Sequence, residues 1–157
     1  ILTASDKGAA GEREDTSAQV IRELMEEEIG GEIVEYRVVP DDQDEITAAL
    51  IEITEYYRPD LIVTTGGTGL GPRDVTPEAT ERVIERKVPG LAEAMRIGAM
   101  HKTRAAMLSR GIAGIRGRTL IINLPGSPKG VQESLMAIID QLPHALAILT
   151  GRETEHV

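Results

Sequence analysis

The stretch best suited by residue type to do chemistry is "TTGGTGLGPRDVTPEAT", Thr64 to Thr80, which continues the apolar run "DLIV" into four glycines. Gly66, Gly67, Gly69 and Gly71 permit positive φ and let a ligand approach the backbone closely. Successive N–H groups in such a loop can converge on a phosphate, and the Thr68 hydroxyl can add a bond to one of its oxygens. The pattern is neither the Walker loop nor the dinucleotide fingerprint, because no Gly-Lys-Ser/Thr follows and the glycine spacing differs. A tight turn imposed by packing is the competing reading. Asp74 stands between Arg73 and a new helix start, at the rim of the loop. A carboxylate there suits a hard cation that also takes phosphate oxygens.

A second acidic candidate lies in "VVPDDQDE". Asp42 with Glu45 makes an N-cap pattern. Asp41 is then spare for a ligand, unless it belongs to the same capping cluster. Asp41 and Asp74 together are candidate Mg²⁺ ligands, with phosphate oxygens completing the shell. In "INLPGSPKG", Asn123 and Ser127 are candidates for an anion or a base at a helix N-terminus, or merely parts of a turn and a cap. Ser5 and Asp6 follow the first apolar run. Asp6 could accept from a ribose hydroxyl or a base amine, or could face solvent in a loop. His101, His144 and His156 show neither metal spacing nor a partner triad.

Composition narrows the classes. The absence of cysteine removes thiol nucleophiles, disulfides and cysteine-ligated metal centres, and leaves the cytoplasm as the default location. A net charge of −9 argues against a nucleic-acid backbone surface. Three tyrosines and no Phe or Trp argue against base-stacking platforms. No apolar run is long enough to predict a membrane span.

The elements that must position these residues alternate in period. "ILTAS", "EIVEYRVV" and "DLIVTT" read as strands. Val20, Ile21, Leu24, Met25 and Ile29 line one helix face, begun by a Thr16–Gln19 capping box and ended at Gly30-Gly31. Ile46, Ala49, Leu50, Ile53 and Tyr57 line another. Thr76-Pro77 and Ser127-Pro128 fit N-cap and N1 of later helices. "PGLAEAMRIGAM" is a further helix, and "GIAGIRGRTLIINLPG" a hairpin. Val131, Leu135, Ile138, Ile139 and Leu142 form the face of a last helix that Pro143 kinks or interrupts. This order predicts a single three-layer α/β/α domain with a mostly parallel sheet and one antiparallel strand pair. Ligands in such sheets sit at the carboxyl ends of the strands, where all the candidate residues fall.

"TTGGTGLGPRDVTPEAT", "PDD", "MLSRGIAGIRG" and "LIINLPGSPKG" together resemble the molybdopterin adenylyltransferase family, to which the gephyrin G domain is related. The resemblance covers nearly the whole chain. It implies the molybdopterin-binding fold, a homotrimer, and transfer of AMP from Mg-ATP to the phosphate of molybdopterin with release of pyrophosphate. By position it implies Asp41 and Asp74 as the catalytic pair, and Gly66, Gly67, Thr68 and Gly69 as the substrate-phosphate loop. Ser109 falls at the pterin site, and Asn123, Pro125, Gly126 and Ser127 at the nucleotide-side turn. Ala99-Met100 stands where adenylating members often carry a serine. Two alternatives stay open: a molybdopterin-binding scaffold without efficient adenylation, and a metal-dependent nucleotide pyrophosphatase on the same fold.

Overall fold

The computed structural model describes residues 1–152, so His156 lies outside the described residues. Six strands form one sheet in the order β2-β1-β3-β6-β5-β4. They are β1 (Leu2–Ala4), β2 (Arg37–Val39), β3 (Leu61–Thr65), β4 (Arg86–Lys87), β5 (Ala113–Arg116) and β6 (Thr119–Leu124). The first four positions in that order run parallel, while β5 and β4 run antiparallel to their neighbours. The β5–β6 hairpin is the antiparallel pair that the sequence predicts, and β4 adds a short second pairing at the sheet edge. That extra strand has two exposed residues and no apolar alternation by which sequence could announce it.

Strand alternation sorts the core into two layers. Ile62 and Ile121 face α3 (Gln43–Tyr57) and α4 (Thr76–Val83) through Ile46, Leu50, Ile53 and Val83. Val63, Leu120, Ile122 and Leu124 face the other side. There they meet α2 (Thr16–Ile29), α5 (Pro89–Met100), α6 (Pro128–Met136) and α7 (Leu142–Leu149). This is the three-layer domain that the alternation predicts. No helix among the described residues is long and apolar enough to cross a membrane.

Several local expectations change. Only Arg37–Val39 of "EIVEYRVV" is strand, because its one neighbour, β1, is three residues long. The "DKGA" of the first loop is a short helix, α1 (Asp6–Ala9), capped by Ser5. The cap of α2 is Asp15, whose carboxylate accepts from Ala18 N–H, and not Thr16. Helix α4 has no side-chain cap: Thr76 N–H donates to Gly67 O at 3.1 Å, which draws Thr76 into the helix and leaves its hydroxyl buried. Asp42 and Ser127 cap α3 and α6 as expected. The last helix face is divided among α6, a 3-10 turn at Ile139–Gln141 and α7, with Pro143 in the first turn of α7.

Candidate functional site

The chain builds β2 on one side of β1 and β3 on the other, so the loops leaving β1 and β3 diverge and open a crevice at their carboxyl ends. The glycines of the loop after β3 each make room for a named neighbour. Gly66 has φ 94°, and a Cβ there would lie 2.3 Å from Ala4 O. Gly67 has φ 70°, and its Cβ would lie 2.2 Å from Thr76 Oγ1. At Gly69 and Gly71 a Cβ would lie 2.8 and 3.0 Å from Asp74 Oδ2. The loop thus wraps around the Asp74 carboxylate, which accepts from Gly71 N–H at 2.9 Å. The N–H groups of Gly67, Thr68 and Gly69 donate to nothing among the described residues, which leaves three successive donors for an anion.

Arg110 holds this loop in place. Its Nε donates to Gly69 O at 2.8 Å, one terminal nitrogen to Asp74 O at 2.6 Å, and both terminal nitrogens to the Glu78 carboxylate on α4. Its own N–H donates to Thr68 O at 2.8 Å. The guanidinium beside Glu78 holds that carboxyl below its usual range. "LSR" drew attention through Ser109. The adjacent arginine carries no sequence signal for partners 32 to 41 positions away.

Asp41 and Asp6 exchange backbone and side-chain bonds. Asp6 N–H donates to Asp41 Oδ2 at 3.0 Å, and Asp41 N–H donates to Asp6 Oδ1 at 2.9 Å. Arg73 donates twice to the Asp6 carboxylate, which it holds below the usual range. Asp6 thus braces Asp41 and pairs with Arg73 while its side chain stays exposed. Burial pushes the Asp41 carboxyl up, and the negative charges of Asp6 and Asp74 add to the rise against the bond from Asp6 N–H. Asp41 Oδ1 faces the loop, 3.4 Å from where a Gly67 Cβ would stand. Oδ1 of Asp41 and Oδ1 of Asp74 accept no hydrogen bond among the described residues. Two such oxygens, in a place where negative charge is already crowded, suit a divalent cation.

At the turn after β6, Asn123 is 2% exposed and its side chain is used up. It donates to Thr64 Oγ1 and Thr80 Oγ1 at 3.0 Å each, and its Oδ1 accepts from Ile112 N–H. Its side chain locks β3, β6 and α4 together and has no amide hydrogen left for a nucleotide. The turn is pinned by Thr65 Oγ1 donating to Pro125 O and Ser17 Oγ donating to Gly126 O, both at 2.6 Å. The Ser5 and Ser127 hydroxyls accept from Gly8 and Gly130 N–H as helix caps, and both residues also line a cavity.

Two cavities result. One, about 530 Å³, is bordered by Ser5, Asp41, Gly66, Gly67, Asp74 and Ser127, with Arg13 at its edge. The other, about 500 Å³, is a trough between α5 and α6, closed by the 3-10 turn Arg104–Leu108 and reached by Thr68, Gly69 and Ser109. Ala92, Met95, Ala99, Ala105 and Ala106 form an apolar part of its wall. Both cavities touch Gly67, Asp74, Gly126 and Ser127, so a group in each can meet at that seam. Sequence reasoning missed Arg96 and Glu133, which also line the trough.

Residues 1–144 match the family model described as "Probable molybdopterin binding domain". A molybdopterin adenylyltransferase of Helicobacter pylori (strain ATCC 700392 / 26695) is 42% identical over 152 residues, spanning 96% of this chain and 86% of the relative. Gephyrin of Dictyostelium discoideum is 38% identical over 97% of this chain, which corresponds to 22% of gephyrin. Among solved structures, the molybdopterin biosynthesis enzyme MoaB of Thermus thermophilus superposes with a TM-score of 0.89 at 55% identity, covering 96% of this chain and 94% of that one.

Proposed function

The chain belongs to the molybdopterin-binding domain family, and on that premise we propose that it adenylates molybdopterin in molybdenum cofactor biosynthesis. The observation that carries this reading is the seam: two cavities of similar size meeting at Gly67, Asp74, Gly126 and Ser127. A two-substrate transfer needs such a junction. A nucleotide hydrolase needs no second organic chamber.

The trough between α5 and α6 takes the pterin, and its terminal phosphate rests on the free N–H groups of Gly67, Thr68 and Gly69. The cavity beside Ser5 and Asp41 takes ATP. The pterin phosphate attacks the α-phosphorus in line, and pyrophosphate leaves. The nucleophile is already anionic, so no strong base is needed and positioning dominates. This accounts for a site without a His, Cys or Ser nucleophile. Asp41 and Asp74 would hold Mg²⁺, which supplies neutralisation of the phosphate oxygens. Arg110 fixes the loop that carries both the amides and Asp74.

The protein works in the cytoplasm as a homotrimer in this reading. Ile97 on α5, Met107 and Leu108 on the 3-10 turn and Met136 on α6 are exposed on elements that pack together, an apolar surface that association would bury.

Incubation with ATP, Mg²⁺ and molybdopterin tests the reaction. Adenylated pterin and pyrophosphate are the expected products. Bound but unchanged pterin would replace the enzyme with a scaffold, and AMP without a pterin adduct would replace it with a hydrolase.

A further inference from the structure

Glu133 stands apart in the trough. It is on α6, one turn beyond Gly130 and two beyond the Ser127 cap, so it shares their cavity-facing side. Its side chain is only 9% exposed, yet Oε2 is buried with no hydrogen-bond partner among the described residues. Oε1 has one loose contact, 3.9 Å from Lys129 Nζ, whose side chain is 81% exposed. A buried carboxylate oxygen left unpaired is costly, and native structures leave such atoms for a ligand, a water or an ion. Arg96, Lys129 and Asp74 also line the trough; one terminal nitrogen of Arg96 donates to Ser109 O and Gly111 O, and the guanidinium makes no ion pair with Glu133. Glu133 thus lines the cavity with one oxygen buried and unpaired and the other held only by a loose contact.

We propose that Glu133 reads the 2-amino-pyrimidinone edge of the pterin and so sets which heterocycle the trough accepts. That edge offers N3–H and the 2-amino group side by side, two parallel donors that one carboxylate can take together when its side chain turns toward the ring. The assignment rests on the reading that this trough is the pterin chamber. It gives that chamber a polar anchor on α6 that does not depend on a hydroxyl at Ala99, which lines the trough from α5.

The test begins with the unaltered protein. In the adenylation assay, 6-hydroxymethylpterin and 6-hydroxymethyllumazine compete with molybdopterin. They differ at the 2-position, amino in one and oxo in the other. The pterin is expected to inhibit about tenfold to a hundredfold more strongly, the range of a hydrogen bond to a charged group. The substitution Glu133→Gln is then expected to collapse that ratio, because an amide can pair with either edge. It also raises KM for molybdopterin by a similar factor while KM for ATP holds. Equal inhibition by the two heterocycles in the unaltered protein overturns the proposal. So does a Glu133→Gln variant with unchanged KM for molybdopterin. If both heterocycles are too weak to compete, the KM comparison decides. If the variant does not fold, the unaltered protein's own selectivity decides. A protein that neither adenylates nor binds molybdopterin overturns the underlying reading and this proposal with it, an outcome distinct from adenylation without 2-position selectivity.

Discussion

Asp74 keeps one oxygen on Gly71 N–H and borders both cavities, so its charge can be removed without removing its shape. In Asp74→Asn the amide oxygen still accepts from Gly71, and the glycine loop keeps its fold. Turnover should fall by about 10²–10³, as for the loss of one preorganised electrostatic group. The check is steady-state adenylation beside thermal unfolding, and a variant with normal unfolding and normal turnover refutes the role. Asp41 behaves differently because its folded-state carboxyl lies above the ordinary value, raised by burial and by Asp6 and Asp74. The folded chain therefore holds that proton more tightly than the unfolded chain does. Asp41 costs no stability below the ordinary carboxylate range, near pH 4, and destabilises the fold increasingly as pH rises through the folded-state value. Asp41→Asn should melt higher than the parent at pH 7 without Mg²⁺, and the gap should close in acid. Added Mg²⁺ should stabilise the parent and not the variant. Melting curves across pH, with and without the cation, test both claims.

Loops and helices set the positions of these groups, and two substitutions test how. Arg110→Lys retains the charge and loses the planar fork that reaches Gly69 O, Asp74 O and Glu78 together. The side chain is about a third exposed, so solvent screening limits the effect. Stability should fall by about 1 kcal/mol, while kcat falls about tenfold or more through a displaced Asp74. Equal kcat in the two proteins would show that the clamp does not position the site. On the far wall, Gly98 lets α5 approach α6: a Cβ there would lie 2.6 Å from Ala137 Cβ, which cannot rotate away. Gly98→Ala gains up to about 1 kcal/mol in helix propensity, but overpacking costs about 1–3 kcal/mol. Net destabilisation is expected, read by denaturant titration, with a weakened grip on the pterin as the trough widens. Elements with a strong period were legible in the sequence alone: the face Ile46, Ala49, Leu50, Ile53 is buried as its spacing implies. Elements without one were not, since two exposed residues make β4 and α1 has four residues, none of them buried. The glycine loop and its aspartates were legible because their residue types are unusual in sequence. Arg110 and Glu133 were not, because an arginine or glutamate on a helix or loop is ordinary until the fold supplies its partners. Asn123 misled for the same reason: its amide looked available, and folding spends it on two threonines and a backbone N–H.

Over the whole molecule, the exposed apolar residues Ile97, Met107, Leu108 and Met136 set the expected assembly. Introducing charge there, as in Ile97→Glu with Met107→Glu, should shift the sedimentation coefficient from trimer to monomer at micromolar concentration. An unchanged coefficient places the interface elsewhere. Both halves of the sheet contribute to the site. Strands β2, β1 and β3 lead into Asp41, Ser5 and the glycine loop, while β6 leads into the turn to α6, and residues from both sides line both cavities. The two halves join along β3 and β6, whose five-pair ladder is the longest in the sheet. That joint couples the two cavities in an evolutionary sense. Gly67 and Asp74 come from one half, Gly126 and Ser127 from the other, and all four border both cavities. A lineage built on this sheet cannot change the joint for one ligand without changing it for the other.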